Sequence, residues 1–374
     1  MLNRWETFKQ TMPHQGQPFA KRNWGSPLHS VCSYQAKMKP ALAHHLVAVF
    51  SSPGDVVVDP FSGSGTIPFE ACLIGRKGYG MDIALLGVTL TNAKVTRADP
   101  DKVALLLNNL AGWIKGMPPS EETRNSAASI KFNGPLHEYF HPDTFDEVLR
   151  AREFFAEHQE DSPEWYLVMA CMLHILHGNR PYALSRNSHP ITPYAPTGEF
   201  VYKSVVEKLT QKVGKSLAVT PPPEFVSGKC FQADICKSWP DELREIDSII
   251  TSPPFFDSTR FYMTNWMRYW FCGWDRTDFD TEPENFVEVT QKRSLTIYNA
   301  VFQQFEDRLK TGGLAVLHLG LSHKCDMAKE LAELAKGRFT LLDAYTESVQ
   351  HCESHGIRDK GTVTGHQYLI LQKR

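Results

Sequence analysis

No CxxC pair occurs in the 374 residues, although eight cysteines are scattered at positions 32, 72, 171, 230, 236, 272, 325 and 352. Thiols spaced this way suit neither a disulfide framework nor paired zinc ligands, so reduced and mostly buried cysteines are expected. No apolar run approaches the roughly 18 residues that a membrane helix needs. Residues 1–19, MLNRWETFKQTMPHQGQPF, hold no apolar core of signal-peptide type, and the expectation is a cytoplasmic protein. Internal repeats and low-complexity tracts are also missing. The net charge of −2 is too small to mark the whole chain as a polyanion binder. Apolar content of 42% and charged content of 22% are ordinary for a globular chain, and the length suits one large domain or two.

The charge that is present is segregated. Residues 1–40 carry Arg4, Lys9, Lys21, Arg22, Lys37 and Lys39 against Glu6 alone. Residues 177–220 carry Arg180, Arg186, Lys203, Lys208, Lys212 and Lys215 against Glu199 and Glu207, whereas residues 99–164 are acidic. Segregated basic surfaces suit a phosphate backbone. Solvated faces that bind nothing explain the same charges, and charge alone favours that reading.

Hydrophobic patterning divides the chain. GDVVVDPF (54–61) reads as a buried parallel strand closed by Asp-Pro. SGSGT (62–66) is a glycine-rich turn, IPFEACLIG (67–75) a short helix that tolerates Pro68 in its first turn, and KGYGMDI (77–83) a second strand ending at Asp82. Together they make a βαβ unit. The rhythm resumes with KCFQADI (229–235), a short helix or connector at 236–246, and the buried strand DSIIT (247–251). NAVFQQFEDRLKTGG (299–313) reads as a helix stopped by Gly312 and Gly313, followed by the strand LAVLHLG (314–320). FTLLDAY (339–345) and HQYLILQKR (366–374) are strand-like and suited to pairing at a sheet edge. Seven strands with helices between them predict an open α/β sheet. The interval from about 95 to 226 breaks the pattern. It is helical at DTFDEVLRAREFFAEH (143–158) and EWYLVMACMLHILHG (164–178), then punctuated by prolines, and TPPPEF (220–225) reads as its exit linker. It is expected to be an insertion between the second and third strands. The boundaries are 1–27 for an N-terminal arm, 28–95 and 228–374 for the main domain, and 96–227 for the inserted helical and loop subdomain.

Two turns carry chemistry. In DPFSGSGT, Gly63 and Gly65 allow close backbone approach to a ligand between a strand and a helix N-terminus. Asp82 ends the next strand about 20 residues on, where a carboxylate accepts from ribose hydroxyls. A dinucleotide site wants a third glycine where Pro68 stands, so pyrophosphate is disfavoured. A nucleoside with a short polar tail, such as S-adenosylmethionine, fits better. Asp59 orders the loop or faces the ligand's ammonium. The second turn is SPPF, after the strand DSIIT, at the carboxyl end where open α/β sheets bind ligands. An exocyclic amino nitrogen is a poor nucleophile because its lone pair is delocalised into the ring. Acceptors around its hydrogens free that pair. Ser252 Oγ and the Pro253 carbonyl, held rigidly by Pro254, are candidate acceptors. Phe255 is suited to stacking on the base. A duplex base reaches such a pocket only when flipped out.

These residues resemble the S-adenosylmethionine-dependent DNA amino-methyltransferases, which modify N4 of cytosine or N6 of adenine. DPFSGSGT is similar to their cofactor motif and TSPPF to their catalytic motif. AKMKPALAHHLVAVFSSPGD (36–55) resembles the helix that wraps the methionine end of the cofactor, and FYMTNWMRYWFCGW (261–274) the aromatic helix after the catalytic loop. The resemblance implies a class I methyltransferase, with a Rossmann-like, seven-stranded, mostly parallel sheet. It implies S-adenosylmethionine as cofactor, held by Asp59, Phe61, Ser62, Gly63, Ser64, Gly65, Thr66, Asp82, Ile83 and, near the adenine, Asp234. Ser252, Pro253, Pro254 and Phe255 are the implied catalytic turn. DNA is the implied substrate, with a restriction endonuclease as a candidate partner and a nucleoid-associated location. The serine form of the turn leans toward cytosine N4; adenine N6 is the alternative, and an RNA base methyltransferase a further one. The long segment lies at an unusual place for target recognition.

Further expectations concern binding. Arg180, Arg186, Asn187, Ser188 and His189, in NRPYALSRNSHP, are candidate DNA contacts or a hydrogen-bonded loop over the cleft. The basic arm with Trp5 and Trp24 tracks phosphates or packs on the core. His351, Cys352 and His355 lack the second ligand pair of a zinc site, so no metal is expected.

Overall fold

The computed structural model describes residues 1–21, 24–35, 37–256, 260–348 and 363–374. Its seven strands are β1 Val56–Asp59, β2 Lys77–Asp82, β3 Lys229–Gln232, β4 Ile246–Thr251, β5 Leu309–Ser322, β6 Phe339–Ser348 and β7 Val363–Lys373. They form one sheet in the order β3-β2-β1-β4-β5-β7-β6. The first five are parallel to their neighbours, and β7 inserts antiparallel between β5 and β6.

The run Val56, Val57, Val58 lacks strand alternation because both faces of the sheet are covered. Val57, Ile250 and Val316 face α1 (Leu2–Thr11), α2 (Pro40–Phe50) and α3 (Thr66–Leu73). Val58, Ile249 and Leu317 face the opposite layer, where Tyr298, Val301, Phe302, Phe305, Met327 and Leu331 are packed. A third cluster joins α4 (Leu85–Val95) to the inserted helices α5 (Pro100–Gly116), α6 (Glu121–Ser129), α7 (Pro142–Glu157), α8 (Pro163–Ile175) and α9 (Val205–Leu217). That cluster continues into α10 (Phe261–Thr264), α11 (Trp266–Phe271) and α12 (Arg276–Thr281). Three short elements complete the chain: α13 (Val287–Thr290), α14 (Tyr298–Arg308) and α15 (Met327–Ala335).

Local signals explain where the inserted helices start. Asp99, Ser120, Ser162 and Ser204 cap α5, α6, α8 and α9 through side-chain oxygens that accept from backbone N–H groups. Pro100, Pro142 and Pro163 occupy first-turn positions whose N–H is unneeded. Residues 143–158 and 164–178 fall on α7 and α8 to within a few residues. Two local expectations differ from the structure. The stretch after α14 is extended from Leu309 instead of helical to Gly313, because Leu309 pairs with Ile246 before a register shift. The aromatic segment after the catalytic turn is two helices, parted at Asn265.

The N-terminal arm packs. Trp5 is fully buried against Phe50, Tyr345 and Tyr368, and its Nε1 donates to Asp343 Oδ2 at 2.7 Å. Trp24 rests on Phe19 and His44. The seven described cysteines are all free. Among the described residues no helix is long and apolar enough to cross a membrane. Trp5→Ala is expected to cost roughly 3–5 kcal/mol, as for other fully buried tryptophans. Denaturant unfolding measures it, and a loss under about 1 kcal/mol would contradict the docking of α1.

Candidate active site

The carboxyl ends of β1, β2, β3 and β4 open onto one cleft, lined by Asp59, Phe61, Ser62, Gly63, Ser64, Thr66, Asp82, Ile83, Asp234, Ser252 and Pro254 among others. The two motif turns therefore share one cavity, as β1 and β4 are adjacent in the sheet. A hydrogen bond pins them together. Thr251 Oγ1, at the end of β4, donates to Asp59 Oδ1 at 2.6 Å, and Phe61 N donates to the same oxygen at 3.1 Å. Burial pushes the Asp59 carboxyl up to about 7, with the nearby charge of Asp82 adding to it.

The glycine turn is braced from behind. Gly63 and Gly65 both adopt left-handed backbone angles, with φ of 50° and 70°. A Cβ at Gly65 would stand 2.8 Å from Thr91 Cα, so Gly65 serves the close packing of the turn on α4. Ser62 Oγ meets Thr91 Oγ1 at 2.9 Å, and the buried Lys94 ammonium donates to the Ser64 carbonyl. Burial pulls Lys94 down to about 7. No sequence motif pointed to Thr91 or Lys94; they are ordinary helical residues until α4 is laid beneath the turn.

Asp82 faces the turn. Its Oδ2 accepts from Gly63 N and its Oδ1 from Ala84 N, each at 2.9 Å. Burial raises it to about 6. A carboxylate has about four lone-pair sites, so two bonds leave it able to accept more. Asp234 accepts from Cys236 N at 2.9 Å and pairs with Lys237 at 3.2 Å while lining the cleft. Lys37 and Met38, just before α2, line the cleft with Tyr34, which lies upstream of the stretch quoted for the methionine end.

The SPPF turn is held by residues that sequence reasoning missed. Ser252 Oγ lies 3.2 Å from Nδ1 of the buried His318 on β5. Burial holds that imidazole well below its ordinary value, and His366 beside it acts the same way, so it is neutral. Gln291, fully buried, donates to the carbonyls of Pro254 at 3.0 Å and Phe255 at 3.4 Å, and Tyr298 donates to Gln291 at 3.0 Å. Pro253 is buried and does not line the cleft. Phe255 does not line it either. Its ring packs over Gly320, where a Cβ would come within 2.6 Å, and against His318 and His366 at 5.6 and 5.9 Å.

The inserted loop is built largely on itself. The Arg186 guanidinium donates to the Gly198 and Glu138 carbonyls, each at 2.9 Å, and stacks over Phe200. Ser188 is buried and donates to Tyr194 O at 2.8 Å, while His189 Nδ1 accepts from Ile191 N and Thr192 N. Arg180, Asn187 and His189 are exposed, and none of the five lines the cleft. The fully buried Arg268 of α11 ties this loop down, donating to the carbonyls of Leu173, Pro190 and Ile191 and to Asn265 Oδ1. Among the described residues no three His, Cys, Asp or Glu side chains converge as metal ligands; His351, Cys352 and His355 lie outside those residues.

The site fits S-adenosylmethionine. A left-handed glycine turn, a strand-end carboxylate behind it and a second carboxylate at Asp234 match a nucleoside with a cationic tail. The strand order is that of the Rossmann-like sheet of class I methyltransferases, with the cleft at the carboxyl ends of its strands. Residues 5–90 match the model of the N6 and N4 DNA methylase family, a segment that runs from α1 into α4. The chain is 28% identical over 88 residues to the type II methyltransferase M.MjaII of Methanocaldococcus jannaschii, which is 24% of this chain and 17% of that protein. Among solved structures it is similar to TrmN from Thermus thermophilus, at 14% identity and a TM-score of 0.35, over 93% of this chain and 52% of that one. It is also similar to a TehB-like S-adenosylmethionine-dependent methyltransferase from Corynebacterium glutamicum, at 8% identity and a TM-score of 0.35, over 100% and 96% of the two chains. At such scores the strand order, not the likeness, carries the fold assignment.

The cleft carboxylates make stability pH-dependent. Asp59 titrates near 7 in the folded chain and near its ordinary value, about 4, when unfolded. Between those values the folded state binds more protons, so the contribution of Asp59 to stability falls as pH rises. Asp59→Asn retains an acceptor for Thr251 and removes the titration. Its stability relative to the native chain is expected to rise by on the order of 1–2 kcal/mol between pH 5.5 and 7.5. Urea unfolding at the two pH values checks this, and a difference that stays constant would contradict it.

Proposed function

We propose that the chain is a DNA methyltransferase that moves a methyl group from S-adenosylmethionine to N4 of a flipped-out cytosine. The observation that carries this reading is the Asp59–Thr251 hydrogen bond, which joins the glycine turn to the SPPF turn across adjacent strands. The family match over residues 5–90 supports DNA as substrate. The serine at position 252 favours cytosine N4, with adenine N6 as the second reading.

When bound, the cofactor supplies a methyl group on a positively charged sulfur. The chain's task is to orient the amino nitrogen and draw its hydrogens aside. With its proton on Nε2, the neutral His318 accepts the Ser252 hydroxyl proton at Nδ1 in a hydrogen bond, which leaves the lone pairs of Oγ for an amino hydrogen. Pro254 lines the cleft, and its carbonyl, fixed by Gln291, keeps a lone pair as a second acceptor. The Pro253 carbonyl, of a buried residue between Ser252 and Pro254, remains a candidate acceptor. Phe255 backs the turn and becomes a stacking platform only if its ring leaves Gly320 when the base enters. The methylated amino cation is acidic enough to lose its proton without a strong base.

The inserted segment 96–227 is proposed to carry target recognition, with Arg180, Asn187 and His189 as the exposed contacts and Arg186 and Ser188 as their scaffold. A cytoplasmic, nucleoid-associated enzyme, with a restriction endonuclease as a candidate partner, completes this reading.

The test is incubation with labelled S-adenosylmethionine and either DNA or RNA, followed by nucleoside analysis. N4-methylcytosine in DNA is expected; N6-methyladenine in DNA would select the second reading, and label in RNA alone would contradict both. Ser252→Ala is expected to lower kcat by about 100-fold or more while cofactor affinity survives. His318→Asn, which retains an acceptor near the Nδ1 position, should keep more activity than His318→Leu; equal rates would remove His318 from the account.

A further inference from the structure

Glu288 sits on the short helix α13, which no motif announces. Its side chain lines the cleft, yet the residue is only 4% exposed. One oxygen, Oε2, accepts from Phe261 N at 3.0 Å. The other, Oε1, is buried and has no well-formed hydrogen bond among the described residues, although the Tyr262 N–H beside the carboxyl favours its charged form. An unpaired buried carboxylate oxygen is costly, by about 1–3 kcal/mol or more. A cleft-facing group that the chain does not satisfy is one that a bound donor can satisfy.

Its neighbours identify the donor. The charge of Glu288 bears on Tyr34 and Tyr269, and both rings also feel Asp82. Phe261, whose N–H holds Oε2, stacks on Tyr34 with ring centroids 6.4 Å apart and planes 13° from parallel. Tyr34 in turn stands over the glycine turn, where a Cβ on Gly63 would lie 3.6 Å from its hydroxyl. Glu288 and Asp82 thus line the same cleft, together with Tyr34 and Tyr269. Each Asp82 oxygen already serves a backbone N–H. Two vicinal hydroxyls offer two donors; Asp82 keeps lone pairs for one, and Glu288 Oε1 offers an acceptor for the other.

We propose that Glu288 is a cofactor-binding residue, a second carboxylate that accepts from a ribose hydroxyl opposite Asp82. This rests on the reading of the cleft as an S-adenosylmethionine site and is independent of which nucleic acid is methylated. Burial raises the Glu288 carboxyl to about 7 in the ligand-free chain, so the accepting carboxylate predominates at pH 8.

The test is calorimetry at pH 8 with two ligands, S-adenosylhomocysteine and 5′-methylthioadenosine, which keeps the ribose but lacks the amino-acid tail. Glu288→Gln is nearly isosteric and retains an acceptor for Phe261 N. It is expected to weaken both ligands by roughly 10- to 100-fold, the range of a hydrogen bond to a charged group. Unchanged affinity for both would overturn the proposal. A loss confined to S-adenosylhomocysteine would overturn it too, by assigning Glu288 to the tail ammonium. A native chain that binds neither ligand would overturn the cofactor reading and this inference together, whatever the nucleic-acid assay returns. As a second measurement, 2′-deoxy- and 3′-deoxy-5′-methylthioadenosine should each bind the native chain more weakly than the parent. One of them should lose this deficit in Glu288→Gln; deficits unchanged in both would contradict the assignment.

Discussion

Everything in the cleft depends on how the ends of β1 and β4 meet. Asp59 and Thr251 terminate adjacent parallel strands, and their 2.6 Å hydrogen bond closes the gap between two turns that are distant in sequence. The bond is buried, so it is strong and its loss is costly. It also explains why a carboxyl is kept in a place that raises it to about 7. A buried acid with two donors on one oxygen fixes the glycine turn through Phe61 N and the SPPF turn through Thr251 at once. On the proposed function, methyl donor and acceptor amine meet only if those two turns keep their spacing.

The rest of the molecule holds each turn from its outer side. Thr91 and Lys94 of α4 brace the glycine turn, and α4 is in turn covered by the inserted helices. His318, Gln291 and Tyr298 brace the SPPF turn from β5 and the α13–α14 region. Arg268 links the aromatic helix after that turn to the inserted loop, so the insertion shares a continuous apolar cluster with the main domain.

Much of this was legible in the sequence, for physical reasons. Strand–turn–helix punctuation identified all seven strands, because buried parallel strands read as unbroken apolar runs and glycine marks their exits. FTLLDAY and HQYLILQKR did pair at the edge, as β6 and β7. What escaped were residues whose role exists only across elements. Lys94 and Thr91 look like helix surface until the turn lies on them. His318 is one more residue in an apolar strand, and Gln291 and Glu288 lie in a segment with no motif. The seat of the Phe255 ring over a strand glycine at position 320 is one that local pattern cannot reveal. For Arg186 and Ser188 the sequence left DNA contact and a hydrogen-bonded loop both open; their side chains donate to carbonyls of the loop and its neighbours.

The central claim is that two turns joined by Asp59 and Thr251 form one methyl-transfer site. A crystal structure of the protein with S-adenosylhomocysteine tests it most directly. The account predicts the adenine toward Asp234, the ribose beside Asp82, and the sulfur facing Ser252 and the Pro254 carbonyl. A ligand seated in the reverse direction, or with its sulfur turned away from the SPPF turn, would contradict it.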